Sequence, residues 1–310
     1  MTHDTHPRDL VGIGELPRRT GVTVRTIRFY CDEGVLPSRR TSGGHRVFEP
    51  AVVDRLLEIR RFRALGLGLA AIAEILAGAL AVEDALAEQR AGVRAELDAL
   101  SWRHACLLAI EQAPPAERAA RIAALADVQD RAAARGTMIE FWRRVLAAMP
   151  APLFDDFIEM EVPRVPTHPT PDQVLTFAEL VRLVGTPELG RVVADQLWRS
   201  RADQIRDKRA LILGVAEAHA AVAERVLAAD RPTVGAELDR FVTAHAEVRG
   251  RTDTPAFRRE LIGNIPDLHP VSTRYWTLTA DILGTTVTTG TTQRWLHAAL
   301  NASVAGSPAR

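Results

Sequence analysis

The chain has 310 residues, 47% of them hydrophobic and 25% charged, and its 39 basic and 39 acidic side chains give a net charge of zero. The length predicts more than one domain and the composition an ordinary buried core, while the neutral balance means that affinity for nucleic acid must rest on where charge sits. Two cysteines outside any CxxC exclude a zinc ribbon or disulfide framework, and with no apolar signal core and no run long enough to cross a bilayer, a reducing cytoplasm and no membrane are expected.

Aromatics are only 5% of the chain, and Ala and Leu dominate, which predicts a mainly α protein. In chain order, GELPRRTG reads as a short helix ended by Gly21. TVRTIRFYCDEG reads as a second, with Thr23 as N-cap and Gly34 just past its end. RRTSGGHRVF, residues 39–48, reads as a β-hairpin in which Gly43 and Gly44 supply the positive φ of a tight turn. A longer helix starts at Pro50, proline being suited to the first helical position, with apolar residues at 52, 53, 56, 57, 59 and 62. Gly66 stops it, and LAAIAEILAG is the next short helix.

From Val82 to Ile110 there is no proline. Leu86, Val93, Leu100 and Leu107 fall seven apart, with Leu97 between them and Arg90 and His104 interrupting the seam. A helix of that length spans roughly 45 Å and cannot bury its stripe against the head alone. The spacing suits either a dimeric coiled coil or a core helix packed on the next domain. Pro114-Pro115 ends the rod. The remainder reads as eight or nine helices divided by proline-rich joints at 150–152, 163–171, 187, 232, 255, 266 and 270.

Charge is concentrated in the head. Between Arg18 and Arg63 there are eleven arginines against five acids, a local field suited to phosphate. On the helix after Thr23, Val24, Ile27 and Tyr30 share one side, while Arg25, Arg28 and Phe29 share the other. That is the division a helix-turn-helix reader needs: one face docks, the other meets a major groove. The hairpin would hold Arg39, Arg40 and Arg46 beside it.

The stretch IGELPRRTGVTVRTIRFYCDEGVLPSRRTSGGHRVFEPAVVDRLLEIRRFRALGLGLAAIAEIL resembles the DNA-binding domain of the MerR family of transcriptional regulators over residues 12–77, most specifically in RRTGVTVRTIRFY, GGHRVF and RALG. The resemblance implies a winged helix-turn-helix at 11–78, a dimerisation coiled-coil helix at 81–112 pairing through Leu86, Val93, Leu97, Leu100 and Leu107, and an all-helical effector-sensing domain at 116–310. It implies DNA contacts from Arg19, Thr23, Arg25, Arg28 and Phe29, wing contacts from Arg40, His45 and Arg46, and phosphate contacts from Arg60 and Arg63. Two positions depart from the pattern: Phe29 stands where tyrosine is common, and Pro17 lies inside the first helix. The implied mechanism is a homodimer on a two-fold operator in an over-long promoter spacer. It distorts that spacer for RNA polymerase when a small-molecule effector binds, against a deformation cost of about 1–6 kcal/mol. The alternative from another class is a constitutive DNA-binding protein whose helical domain is a protein–protein interaction module.

Beyond the head the signals are weaker. Cys106 has no partner cysteine nearby, which argues against a thiolate metal site or an iron–sulfur cluster. Asp267-Leu268-His269 lacks the glycine and the strand–helix setting of a cobalamin motif, and no HExxH, GxSxG or P-loop occurs. No cofactor, metal site or catalytic residue is therefore expected. His219 and His245 read as packing or surface histidines. The candidates for an organic effector are Phe141, Trp142, Phe154 and Phe157 with the acid Glu159, on the pattern of multidrug-sensing relatives; the competing reading is a helix with one core face and one wet face. Tyr275-Trp276 and Trp295-Leu296 read as packing anchors.

Overall fold

A computed structural model describes residues 10–199, 204–263 and 268–305. The chain divides into two compact units, one ending at Ala99 and the other starting at Leu100.

The first unit opens with β1 (Val11–Gly12), α1 (Leu16–Thr20) and α2 (Val24–Asp32), continues with β2 (Arg39–Arg40) and β3 (Arg46–Phe48), and follows with α3 (Val52–Ala64) and α4 (Leu69–Leu76). Pro17 occupies the first turn of α1, where its missing N–H costs nothing. Gly21 ends α1 at φ 71° and returns its N–H to the Pro17 carbonyl at 2.9 Å. The hairpin is antiparallel, with Arg39 opposite Val47 and Arg40 opposite Arg46. β1 pairs on the other side of β3, Val11 opposite Phe48. This third strand was not expected, because two residues are too few to show alternation. In the turn only Gly44, at φ 78°, is left-handed; Gly43 is not, which corrects the expectation of two. The helix expected from Pro50 begins at Val52, and the Glu49 and Pro50 carbonyls accept from the Val52 and Val53 amides in the turn before it. Leu16, Ile27, Leu36, Phe48, Leu56, Ile59 and Ile72 fill the core between these elements.

Helix α5 runs from Val82 to Glu111, 30 residues without interruption. The division between units falls inside it.

The second unit contains α6 (Arg118–Ala126), α7 (Arg131–Val145), α8 (Ala151–Glu161), α9 (Pro171–Val184), α10 (Pro187–Trp198), α11 (Lys208–Leu227), α12 (Ala236–Glu247), α13 (Pro255–Gly263), α14 (Pro270–Leu283) and α15 (Thr289–Ala305). Among the described residues these are ten helices, one or two more than the proline pattern suggested. The prolines start helices more often than they separate them: α8, α9, α10 and α14 each carry one in the first turn. Two cores result. One gathers Trp102 and Cys106 from α5 with Met138, Trp142, Phe177, Leu189 and Tyr275. The other gathers Leu211, Val222, Phe241, Phe257, Leu296 and Leu300. α15 meets α14 so closely that a Cβ on Gly290 would lie 2.1 Å from Trp276 Cγ.

Candidate nucleic-acid interface

Helix α2 is fixed at both ends. The Thr23 hydroxyl accepts from the Thr26 amide at 3.2 Å, and Gly34 turns the chain out at φ 74°. Ile27 and Tyr30 are buried and Val24 half-buried, so the apolar face is spent on the core. Arg25, Arg28 and Phe29 are exposed, as the spacing required. Phe29 is 52% exposed, a large apolar ring on a face otherwise carrying guanidinium groups.

Four of the remaining arginines are braced by main chain. Arg40 Nη1 donates to the Gly44 carbonyl at 3.3 Å, inside its own turn. Arg60 Nη1 donates to the Thr20 carbonyl at 2.7 Å, at the end of α1. Arg63 Nη1 donates to the Leu67 carbonyl at 2.8 Å. Arg55, which received no role from sequence, donates Nε to the Val35 carbonyl at 3.2 Å. A guanidinium has five donors, so one bond to a carbonyl orients the group and leaves others for phosphate. Such bracing lowers the side-chain entropy lost when an anion is met. Arg19 lies 3.5 Å from Glu15, and His45 is exposed at the hairpin tip with its amide donating to the Thr41 hydroxyl.

Arg46 differs from these. Its Nη2 lies 2.5 Å from Asp32 Oδ1 and its Nη1 donates to the Arg28 carbonyl at 3.4 Å. The guanidinium expected on phosphate is engaged within the protein and ties the wing to the last turn of α2. Asp32 was missed because nothing in the sequence links positions fourteen apart across a loop. The only hint was that it is an acid inside a basic segment.

On α5, Leu86, Val93, Leu97, Leu100 and Leu107 are all exposed, between 39% and 60%. From Leu86 to Leu97 no residue is buried and only Gln89 is half-buried. Trp102, Ala105, Cys106 and Ala109 are buried and lie off the line of the leucines. One side of the helix packs in the second unit, and the leucine seam is left exposed in the single chain.

The effector candidates separate. Phe141 and Trp142 are core residues; the Trp142 ring lies 5.2 Å from Phe141, 5.0 Å from Phe157 and 5.3 Å from Trp276, and its Nε1 donates to Tyr275 Oη at 2.8 Å. Phe154 is buried under the Arg143 guanidinium at 5.6 Å. Glu159 does not join them. It is exposed and paired with Arg164 at 2.5 Å, whose guanidinium holds its carboxyl below the usual range. Two residues beyond Phe157, it is carried about 200° around the helix. The buried acid is Glu161, which accepts from the Thr289 amide at 2.7 Å and hydroxyl at 2.8 Å, and burial pushes its pKa up. Its place was legible: Phe154, Phe157 and Glu161 follow at three and four residues, one face of α8.

His245 is fully buried and its pKa lies well below the usual histidine value because burial disfavours the charge. His219 bonds the Thr292 hydroxyl at 2.6 Å, and burial followed by the Arg199 charge lowers its pKa to about 4. His269 caps α14, accepting from the Val271 amide at 3.3 Å, whereas Asp267 lies outside the described residues. Among the described residues no group of three His, Cys, Asp or Glu could hold a metal ion, and no helix is long and apolar enough to cross a membrane.

A short helix, a glycine turn, a second helix presenting arginines, and a hairpin fastened to its end define a winged helix-turn-helix DNA-binding module. Residues 12–79 match the family model described as MerR HTH family regulatory protein. The HTH-type transcriptional regulator MerD of Shigella flexneri is 34% identical over 99 residues, covering 28% of this chain and 82% of that protein. The nodulation protein NolA of Bradyrhizobium elkanii is 44% identical over 87 residues, covering 28% of this chain and 40% of that protein. The HTH-type transcriptional activator TipA of Streptomyces coelicolor is 39% identical over 92 residues, covering 29% of this chain and 34% of that protein. The chain belongs to the MerR family. The match spans two fifths or less of the length of the NolA and TipA relatives, and no solved structure matches the chain.

Proposed function

We propose that the protein regulates transcription as a homodimer, each head placing α2 in a major groove and its hairpin along the adjacent backbone of a two-fold operator. The observation that carries this reading is the division of α2, with Ile27 and Tyr30 in the core and Arg25 and Arg28 outside. Arg25 reads base edges, Arg28 and Arg19 the neighbouring backbone, and Arg40, His45, Arg60 and Arg63 phosphates. Arg46 positions the wing through Asp32. Phe29 gives apolar contact where a hydroxyl would give a hydrogen bond. The seam Leu86, Val93, Leu97, Leu100 and Leu107 pairs two copies, since the stretch from Leu86 to Leu97 buries no face in the single chain and has little to keep it helical alone.

The relative TipA, matched over 29% of this chain, is named a transcriptional activator; in this reading the helical unit of this chain receives the signal that sets its activity. An organic effector bound there shifts the dimer toward a form that distorts the promoter spacer and so aligns it for RNA polymerase. The effector must favour that form by an amount comparable to the deformation cost, about 1–6 kcal/mol.

The test is selection of bound duplexes from a random library, followed by binding of Arg25→Ala to the winner and to random DNA. The expected winner has two-fold symmetry, and the variant loses about tenfold or more on it while losing less on random sequence. No symmetric enrichment, or equal losses on both duplexes, overturns the reading.

A further inference from the structure

A cleft of about 730 Å³ opens in the second unit between α7, α9, α10 and the start of α11. Its volume is in the range of small-ligand sites. The walls are Phe141 and Val145 from α7, Val184 at the end of α9, and Ala194 and Trp198 from α10. Gly185 and Gly190 add no side-chain bulk, so the apolar walls stand back from one another. Phe141 is the one effector candidate from the sequence that reaches this space.

The polar groups at its edge are cationic. Arg144 comes from α7 and Lys208 from α11, and no acidic side chain lines the cleft among the described residues. The Lys208 ammonium sits 5.8 Å over the Trp198 ring, which orients the charge without neutralising it. Arg144 follows Arg143, whose guanidinium is occupied by the Phe154 ring and by Glu140; one step along the helix turns Arg144 toward the cleft instead. Thr186 and Pro187 also line it, at the first turn of α10, where the Thr186 hydroxyl bonds back to the Leu183 carbonyl and caps no amide. The partial positive charge of that helix end adds to the two full ones.

We propose that this cleft binds an amphipathic organic anion, a flat apolar body against Phe141 and Trp198 with a carboxylate, sulfonate or phosphate ester held between Arg144 and Lys208. The site rests on the reading of the helical unit as a receiver and names the chemical class it receives. An anion, unlike the lipophilic cation suggested by an aromatic–acidic cluster, accounts for why the two glutamates of α8 take no part: Glu159 is turned to Arg164 and Glu161 to Thr289.

Two fluorescent probes with one skeleton test it on the full-length protein. 8-Anilinonaphthalene-1-sulfonate carries an aromatic body and an anion; N-phenyl-1-naphthylamine carries the body alone. The sulfonate should bind with unit stoichiometry per chain and at least about tenfold more tightly than the neutral probe. Arg144→Gln and Lys208→Gln, both at exposed positions, should each weaken the sulfonate by about tenfold and leave the neutral probe unchanged. Gly190→Leu, which fills the cleft, should weaken both. Equal binding of the two probes, or no effect of the two charge variants, overturns the proposal. Binding of the sulfonate is read by fluorescence with no DNA present. The regulator reading is judged separately, by whether the saturated protein changes its grip on the selected duplex, so either can fail while the other stands.

Discussion

Replacing Leu97 by Asp should dissolve the proposed dimer without unfolding the protomer. Leu97 is 52% exposed, so about half of a leucine side chain remains to be covered by a second copy. Covering that half is worth about 1 kcal/mol. The two-fold places the change on both helices, which doubles the loss to about 2 kcal/mol. A carboxylate within the seam must also shed water, adding about 1–3 kcal/mol per copy. The sum is about 4–8 kcal/mol, a loosening of roughly a thousandfold or more in the dimer constant. Leu97→Ala removes only the apolar term and should cost about thirtyfold. Sedimentation equilibrium measures both constants, and far-ultraviolet circular dichroism checks that the heads and the helical unit stay folded. A Leu97→Asp protein that dimerises within twofold of the parent would show that the seam is not the pairing surface. Loss of operator binding in parallel with the dimer constant would tie the two functions together.

Gly290→Ala should destabilise the helical unit although alanine is the better helix former, because its Cβ would lie 2.1–2.5 Å from Trp276 atoms; overpacking of this kind costs about 1–3 kcal/mol, or roughly 2–4 °C of Tm per kcal/mol, and an unchanged melting temperature would refute the close approach of α14 and α15. Arg40→Ala should weaken binding to every duplex and lower the slope of log K against log salt by about 0.9, and an unaltered slope would remove the wing from the backbone. Acid should weaken the helical unit through its histidines. His219 has a folded pKa of about 4 against an ordinary 6.5, so the unfolded chain takes up its proton first. Its contribution is complete above pH 6.5 and is lost as pH falls toward 4. Urea midpoints at pH 7.5, 6 and 5 should therefore drop less for His219→Gln than for the parent, and parallel curves would show that the group is not protected from charge.

The head was written locally, and it was readable for that reason. Thr23 begins a helix through its own hydroxyl, Gly21, Gly34 and Gly66 end helices through their own backbone geometry, and the two faces of α2 follow from a period of 3.6. The leucine spacing of α5 and the breaks at proline in the second unit were legible on the same ground. What escaped lay between segments. β1 joins β3 across thirty-odd residues, and Asp32 meets Arg46 only because the hairpin folds back on α2. The spacing sets Glu161, and not Glu159, on the face of Phe154 and Phe157, but only the fold supplies their partners, Arg164 for Glu159 and Thr289 of α15 for Glu161.

Sequence by itself determined the elements, their caps and which side of each helix is apolar, because those depend on neighbours within about one turn of chain. The tertiary structure alone decided which charges face one another and where space is left. Arg144 and Lys208 stand more than sixty residues apart in the chain, and only the packing that sets α10 and the start of α11 beside α7 brings both to one opening.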